Sequence, residues 1–284
     1  MRTCHDSQNL RTQVNEWKRQ GLTVALVPTM GNLHAGHISL VERARQEADK
    51  VVVSIFVNPT QFGAGEDFSS YPRTLDADSE KLAAAHTDLL FAPSVEVMYP
   101  RPNLTWVDIE QLGEHLCGAN RPGHFRGVCT VVSKLFNLVQ PDVACFGEKD
   151  FQQLAIIRRM TEDLCFPIRI IGVPTYRADS GLALSSRNGY LSDSERSHAA
   201  HLQQLLQDLR QRILQGERDY TALETDAFRR LDADGFVPDY VSIMDAGDLT
   251  PAKPDDRHLL LALAARLGKT RLIDNLAFDI ECDK

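Results

Sequence analysis

Apolar residues recur along the first two-thirds of the chain at two alternating spacings. Leu10, Val14 and Trp17 lie three to four residues apart, which predicts an amphipathic helix over 7–21, with Ser7 able to cap its start and Gly21 to end it. Residues 22–27 then form a mainly apolar run of the kind found in strands buried on both faces. Helical spacing returns over 36–49 through Leu40, Val41, Ala44 and Ala48, and a second buried strand covers 50–57. The pattern goes on with a helix over about 75–85, a strand at 88–91, a helix over 127–139, a strand at 142–146, a helix over 151–164 and a strand at 168–173. Strand–helix alternation of this kind predicts a Rossmann-like α/β fold, a parallel sheet with helices on both faces.

The texture changes after about residue 190. A long amphipathic helix is expected over 192–215 and another over 220–231, followed by short strands at 239–244, 258–263 and 270–274. Helices first and strands afterwards predict a smaller C-terminal α+β domain acting as a lid. The expected division is 1–177 for the sheet domain, 178–188 for a hinge and 189–284 for the lid.

The bulk properties narrow the class. At 284 residues, with 43% hydrophobic and 25% charged residues, the chain has the make-up of one large or two modest globular domains. A formal charge of −8 and the absence of any basic run argue against nucleic-acid binding and against anionic membranes. Cysteines at 4, 117, 129, 145, 165 and 282 include no Cys-x-x-Cys pair and several sit in apolar runs, so buried free thiols are expected. These thiols, an N-terminus without a leader-like apolar stretch and no run long enough to span a bilayer point to the cytoplasm.

In open α/β sheets ligands gather beyond the carboxyl ends of the strands, so polar clusters with a chemical purpose should follow strands. The clusters at 28–37, 58–62, 147–150 and 174–177 all do. In His34-Ala-Gly-His37 two histidines flank a glycine at a helix start, where free N–H groups and the helix dipole favour phosphate. Capping or packed histidines are the plainer explanation of such a pair, and zinc is weaker still for want of further ligands at a metal-site spacing. The lead-in Pro28-Thr-Met-Gly31 and the strand-to-helix setting favour the phosphate reading. This HxGH pattern resembles that of the nucleotidyl transferase superfamily and by itself marks ATP.

The other clusters are each ambiguous alone. Asn58 and Gln61 offer donors and acceptors suited to a small hydroxy acid or amine, or they make an ordinary turn before proline. In Gly147-Glu-Lys-Asp-Phe-Gln-Gln153, Lys149 suits phosphate and Asp150 magnesium, or the run is a solvated helix start. Leu184-Ser-Ser-Arg-Asn188 offers two hydroxyls and an arginine to a triphosphate, or is a polar interdomain loop. Arg121, His124 and Arg126 give positive charge to an ordered loop that is equally well a surface feature.

Taken in order, the motifs at 28–37, 57–62, 121–125, 147–153 and 184–188 resemble the pantoate–β-alanine ligase family, with the likeness running from about residue 20 to the end. The resemblance implies condensation of pantoate with β-alanine through a pantoyl adenylate, with ATP going to AMP and pyrophosphate. It implies an ATP site built from Met30, Gly31, Asn32, Leu33, His34, Ala35, Gly36 and His37, from Gly147, Glu148, Lys149 and Asp150, and from Tyr176, Leu184, Ser185, Ser186 and Arg187. Within it His34, His37, Lys149 and Arg187 would be catalytic, with His37 given a proton-donor role. Pantoate would meet Asn58, Gln61, Arg121 and Gln153, and β-alanine would meet Gln61. Magnesium would accompany ATP, with Asp78 or Asp150 as contacts, and a homodimer is implied. The chain departs from the family pattern at Thr60, Tyr176 and Ser180, where Met or Leu, a smaller apolar residue and Asp are usual.

Three rivals share part of these features. A nucleotidyl transferase acting on another acceptor has the histidine pair but not the Asn-Pro-x-Gln-Phe or Gly-Glu-Lys-Asp-x-Gln-Gln runs. A tRNA synthetase fragment fits poorly with the acidic charge. A non-catalytic nucleotide sensor has no need to keep His34, His37, Lys149 and Arg187 together.

Overall fold

The computed structural model describes residues 1–280; Cys282, expected among the free thiols, lies outside them. Six strands form one sheet: β1 (Arg2–Cys4), β2 (Val24–Thr29), β3 (Lys50–Ile55), β4 (Leu89–Phe91), β5 (Val143–Gly147) and β6 (Arg169–Val173). Their order is β1-β4-β3-β2-β5-β6, and every neighbouring pair is parallel. The helices between them are α1 (Ser7–Arg19), α2 (Ala35–Glu47), α3 (Leu75–Ala84), the short α4 (Val95–Met98) and α5 (Cys117–Asn120), α6 (His124–Val139) and α7 (Phe151–Asp163).

Successive strand residues point to opposite faces, and the two faces feed two cores. Val24, Leu26, Val52, Leu89, Phe91, Ala144 and Phe146 pack with residues of α1, α6 and α7, among them Leu10, Phe136 and Ile157. Ala25, Val27, Val51, Val53, Leu90, Val143 and Cys145 pack with Leu40, Val41 and Ala44 of α2 and Leu82 of α3. This is the two-faced Rossmann-like sheet that the periodicity predicts. Three local expectations are corrected. The start of α1 is capped by Asp6, whose carboxylate accepts from the Asn9 N–H, and not by Ser7. Strand β1 was not foreseen, because three residues at a sheet edge are too few to show a period. Helix α6 begins at His124, three residues before the expected start at 127.

The expected helix over 192–215 is broken at Ala200 into α8 (Asp193–Ala199) and α9 (His201–Leu214). After α10 (Tyr220–Ala233) come β7 (Val237–Asp245), β8 (His258–Leu267) and β9 (Thr270–Asp279), an antiparallel sheet in the order β7-β8-β9. Leu259, Leu261 and Leu263 of β8 pack against Leu206, Leu209, Leu223 and Leu231 of α9 and α10. The alternate residues Leu260 and Ala262 turn the other way, onto Leu116 just before α5, with Phe151 and Ala155 of α7 alongside. The smaller sheet thus packs its own helices on one face and the larger unit on the other.

Polar contacts reinforce the junction. Arg177 binds Asp274 through two hydrogen bonds of 2.7 and 2.8 Å, and the Asn275 amide donates to the carbonyls of Glu148 and Lys149 at 3.0 and 2.8 Å. Among the described residues no helix is long and apolar enough to cross a membrane. The thiols of Cys4, Cys129 and Cys145 are buried and unpaired, whereas Cys165 is exposed.

Candidate active site

The chain leaves β2 for β3 on one side, while β5 lies on the other. The loops after β2 and β5 therefore face each other across a topological switch point, where an open α/β sheet forms its crevice. The first loop carries the histidine pair and the second carries Lys149 and Asp150.

His34 is the N-cap of α2. Its Nδ1 accepts from the Gly36 N–H at 3.1 Å, and its own N–H donates to Nδ1 of His37 at 3.3 Å. With both Nδ1 atoms acting as acceptors, the neutral rings carry their protons on Nε2. Burial lowers the His34 pKa to about 3, helped by His37 and Lys149; burial also lowers that of His37 to about 4, against the pull of Asp150. At neutral pH the pair is uncharged, and each ring has one N–H to offer a phosphate oxygen. The two ring centroids are 4.1 Å apart. Gly36 is required beneath them, since a Cβ there would lie 2.9 Å from Cε1 of His34. Capping and phosphate binding, rivals in the sequence, are thus compatible roles of opposite edges of the same rings.

Asp78 is corrected. It is fully buried, and its carboxylate accepts from the N–H groups of Asn32 and Leu33, each at 2.8 Å, and from the Thr74 hydroxyl at 3.0 Å. It shapes the turn before α2 and does not line the cleft, so it offers no face to magnesium. Gly31, Asn32 and Leu33 in the turn and Ala35 at the start of α2 likewise do not line the cleft, and Glu148, beside β6, does not line it either. Asn32 instead holds the 184–188 run, exchanging hydrogen bonds with the carbonyl and hydroxyl of Ser186.

The turn after β3 is equally specific. Asn58 is buried, its Oδ1 accepts from Thr60 and the Tyr99 hydroxyl, and its Nδ2 donates to Oε1 of Gln61 at 3.1 Å and to the Gly127 carbonyl at 3.2 Å. Asn58, expected on pantoate, lines the smaller cavity and also fixes Gln61, whose Nε2 faces the cleft beside Met30 Sδ at 3.2 Å. Gly127 lets α6 press on this turn: a Cβ there would meet the Thr60 carbonyl oxygen at 2.4 Å. Of the paired glutamines opening α7, Gln152 is buried and bonds to Cys117, Leu112 and His115, while Gln153 faces the cleft with no hydrogen bond among the described residues.

Both arginines are already paired. Arg121 makes a two-pronged contact with Glu66 at 2.7 and 2.6 Å, and Arg187 makes one with Asp67 at 3.0 and 2.8 Å. His124 adds its Nδ1–H to the Gln61 carbonyl at 2.8 Å and receives Arg121 on Nε2 at 3.0 Å. Burial and Arg121 lower its pKa to about 4. Glu66, Asp67 and the lining residue Tyr71 escaped the sequence reading, because nothing in an acid pair that follows a glycine names its partners.

Two contiguous cavities result, of about 240 and 370 Å³. The smaller is lined by Met30, His34, His37, Gln61 and Tyr176 among others; both share Arg121, Lys149, Asp150, Gln153, Ser185 and Arg187. The larger extends under β7, β8 and β9. Imidazole, ammonium, guanidinium, hydroxyl and carboxamide groups are therefore brought together from five separate stretches of chain.

Comparison with known proteins agrees with this geometry. Residues 2–277 match the family model described as pantoate-beta-alanine ligase. The chain is 60% identical to the pantothenate synthetase of Alcanivorax borkumensis over the whole of both chains, and 57% identical to that of Pseudomonas entomophila over 99% of each. Among solved structures, the pantothenate synthetase of Thermus thermophilus superposes with a TM-score of 0.91 at 47% identity, covering 97% of this chain and 99% of that one. The Francisella tularensis pantoate-beta-alanine ligase, complexed with beta-gamma ATP and beta-alanine, gives a TM-score of 0.83 at 34% identity over 97% of each chain. With a match over nearly its full length and the cleft motifs in place, the chain belongs to the pantoate–β-alanine ligase family.

Proposed function

We propose that the chain condenses pantoate with β-alanine at the expense of ATP, through a pantoyl-adenylate intermediate. The observation that carries this reading is the meeting, at one switch point, of phosphate-directed groups with the two cleft-facing carboxamides of Gln61 and Gln153. A carboxylate is a poor electrophile. Its oxygen attacks the α-phosphorus of ATP, the bond to the β-phosphate breaks and pyrophosphate leaves. The amine of β-alanine then attacks the acyl carbon, AMP departs with the bonding electrons, and the amine gives up a proton.

Each group has a task that follows from its chemistry. The Nε2–H groups of His34 and His37 and the ammonium of Lys149 stabilise charge that shifts onto the phosphates. Because His37 is neutral at pH 7, it enters as a hydrogen-bond donor, and it can pass on a proton only after phosphate charge has raised its pKa enough for it to take one up from solvent. Ser185, Ser186 and Arg187 hold the nucleotide against Tyr176 and Leu184. Gln61 and Gln153 hold pantoate, and Gln61 also meets β-alanine; Arg121 supplies the charge opposite the carboxylate once it releases Glu66. Asp150, an exposed carboxylate lining both cavities, fits the hard oxygen-ligand preference of magnesium, which would neutralise phosphate charge.

The domain following the 178–188 segment serves as the lid, the chain works as a homodimer, and free thiols at Cys4, Cys117, Cys129, Cys145 and Cys165 suit a cytoplasmic enzyme. The relative solved with beta-gamma ATP and beta-alanine supports the choice of nucleotide and amine. With ATP and pantoate alone, the chain is expected to release pyrophosphate once per active site and stop; adding β-alanine starts steady AMP release. AMP release indifferent to β-alanine would overturn the reading.

A further inference from the structure

Outside the cleft, three side chains bring metal-ligating atoms to one point. His201 Nδ1 lies 2.8 Å and His198 Nε2 3.1 Å from the same carboxylate oxygen of Asp234, and the three donor atoms all fall within 4.8 Å of one another. They come from three elements: the last turn of α8, the first residue of α9 and the C-cap of α10. None of them lines either cavity of the active site.

We propose that His198, His201 and Asp234 form a site for a borderline divalent transition-metal ion, with Zn²⁺ the ion best suited. Two imidazoles and one carboxylate are an N₂O donor set, which selects zinc-like ions over magnesium or calcium, whose preference is for oxygen alone. The spacing is close to what coordination needs. Donors at ~2.0–2.2 Å from a tetrahedral zinc stand roughly 3.4 Å apart, so the present contacts of 2.8 and 3.1 Å need open by about half an ångström or less. The side chains are 34, 48 and 41% exposed, which leaves the remaining coordination position to water.

The surroundings hold the ligands in place. The break at Ala200 interrupts what the sequence writes as one continuous helix, and it sets the two histidine rings 4.9 Å apart. The His198 ring stands edge-on to Phe236, which is buried, at 4.9 Å. An ion here would fasten the α8–α9 joint to the end of α10. The site is thus a clamp on the C-terminal domain, and it takes no part in the chemistry of the cleft.

The test uses the full chain without an affinity tag, freed of metal by chelator. Zn²⁺ titrated by calorimetry is expected to bind at one equivalent and to raise Tm. Co²⁺ in its place should give a visible spectrum without the thiolate charge-transfer band that a cysteine ligand produces. His198→Ala, His201→Ala and Asp234→Asn should each abolish the Zn²⁺-dependent rise in Tm, while His34→Ala, in the cleft, should retain it. No rise in the unaltered chain, a rise kept in all three surface variants, or a rise lost in His34→Ala would overturn the proposal. A rise in Tm on acidification that is indifferent to Zn²⁺ would also overturn it, because a proton would then be holding the two histidines to Asp234.

Discussion

Asp67 holds the guanidinium of Arg187 in a two-pronged hydrogen bond of 2.8 and 3.0 Å, and the residue before it, Glu66, does the same for Arg121. Both arginines face the cleft, so an incoming anion must displace a carboxylate to reach either. Both pairs are partly open to solvent, which limits each to about 1 kcal/mol. Asp67→Asn, which weakens one clamp, is expected to lower KM for ATP by about fivefold, that energy expressed as a ratio. Steady-state kinetics with ATP varied reads this directly, and a raised KM would mean that Asp67 stays paired with Arg187 when nucleotide binds.

The two edges of the histidine rings can be separated by substitution. His34→Asn keeps a side-chain acceptor for the Gly36 N–H, so α2 stays capped, but loses the Nε2–H. Activity should fall on the order of 10²-fold with Tm nearly unchanged. His37→Ala and Lys149→Ala should fall comparably in kcat. Near-normal turnover in these variants would remove the assigned roles.

Gly127→Ala forces a methyl group against the Thr60 carbonyl, which lies 2.4 Å from the ideal Cβ position. Main chain must move, at a cost of about 1–3 kcal/mol. The displaced turn carries Gln61, so KM for pantoate should rise while KM for ATP changes little. Urea unfolding and substrate-varied kinetics give the two readouts.

Asp78→Ala strips a buried carboxylate from the N–H groups of Asn32 and Leu33. Leaving buried donors unpaired costs about 1–3 kcal/mol each, so the chain should be markedly less stable by denaturant titration. Magnesium dependence should persist in whatever folded protein remains. Loss of magnesium dependence alone, without loss of stability, would restore Asp78 to the metal.

Acid should weaken the fold in two stages. His34, His37 and His124 have folded pKa values of about 3, 4 and 4, below the ordinary 6.5. A base whose folded pKa is depressed binds protons more readily when unfolded, so stability falls as pH drops from 6.5 toward 4. Glu66 and Asp67, held below their ordinary 4.5 and 3.8 by their arginines despite burial, add their loss only beneath those values. Urea titrations at pH 7.5 and 5 isolate the histidine stage; equal stability at the two pH values would contradict it.

The sequence carries the sheet domain well, because each of its longer strands and helices has a period of its own. It also carries the location of the cleft, since the rule that ligands collect at strand ends needs only the strand order. What it hides depends on partners far along the chain. The bonds of Asn58 to Gly127 and Tyr99 cannot be read from its neighbours in sequence, and Asp78 reads as a metal contact until the turn at 31–33 is folded over it. Gln152 and Gln153 look alike, and only the helix phase sends one inward and the other to the cleft. The break at Ala200 has no breaker residue to announce it, since alanine favours helix.

Strand β8 divides its side chains between two interiors, sending Leu259, Leu261 and Leu263 to one and Leu260 and Ala262 to the other. The C-terminal sheet is therefore tied by apolar contact to its own helices and to the larger unit alike. On the proposed reading of this unit as a lid, a slide of Leu260 and Ala262 across Leu116 would keep the apolar contact covered, whereas a swing clear of it would bare all three side chains to water. Severing the chain at the joint would bare that stripe on both pieces, and each would be expected to find the other, or itself, in solution.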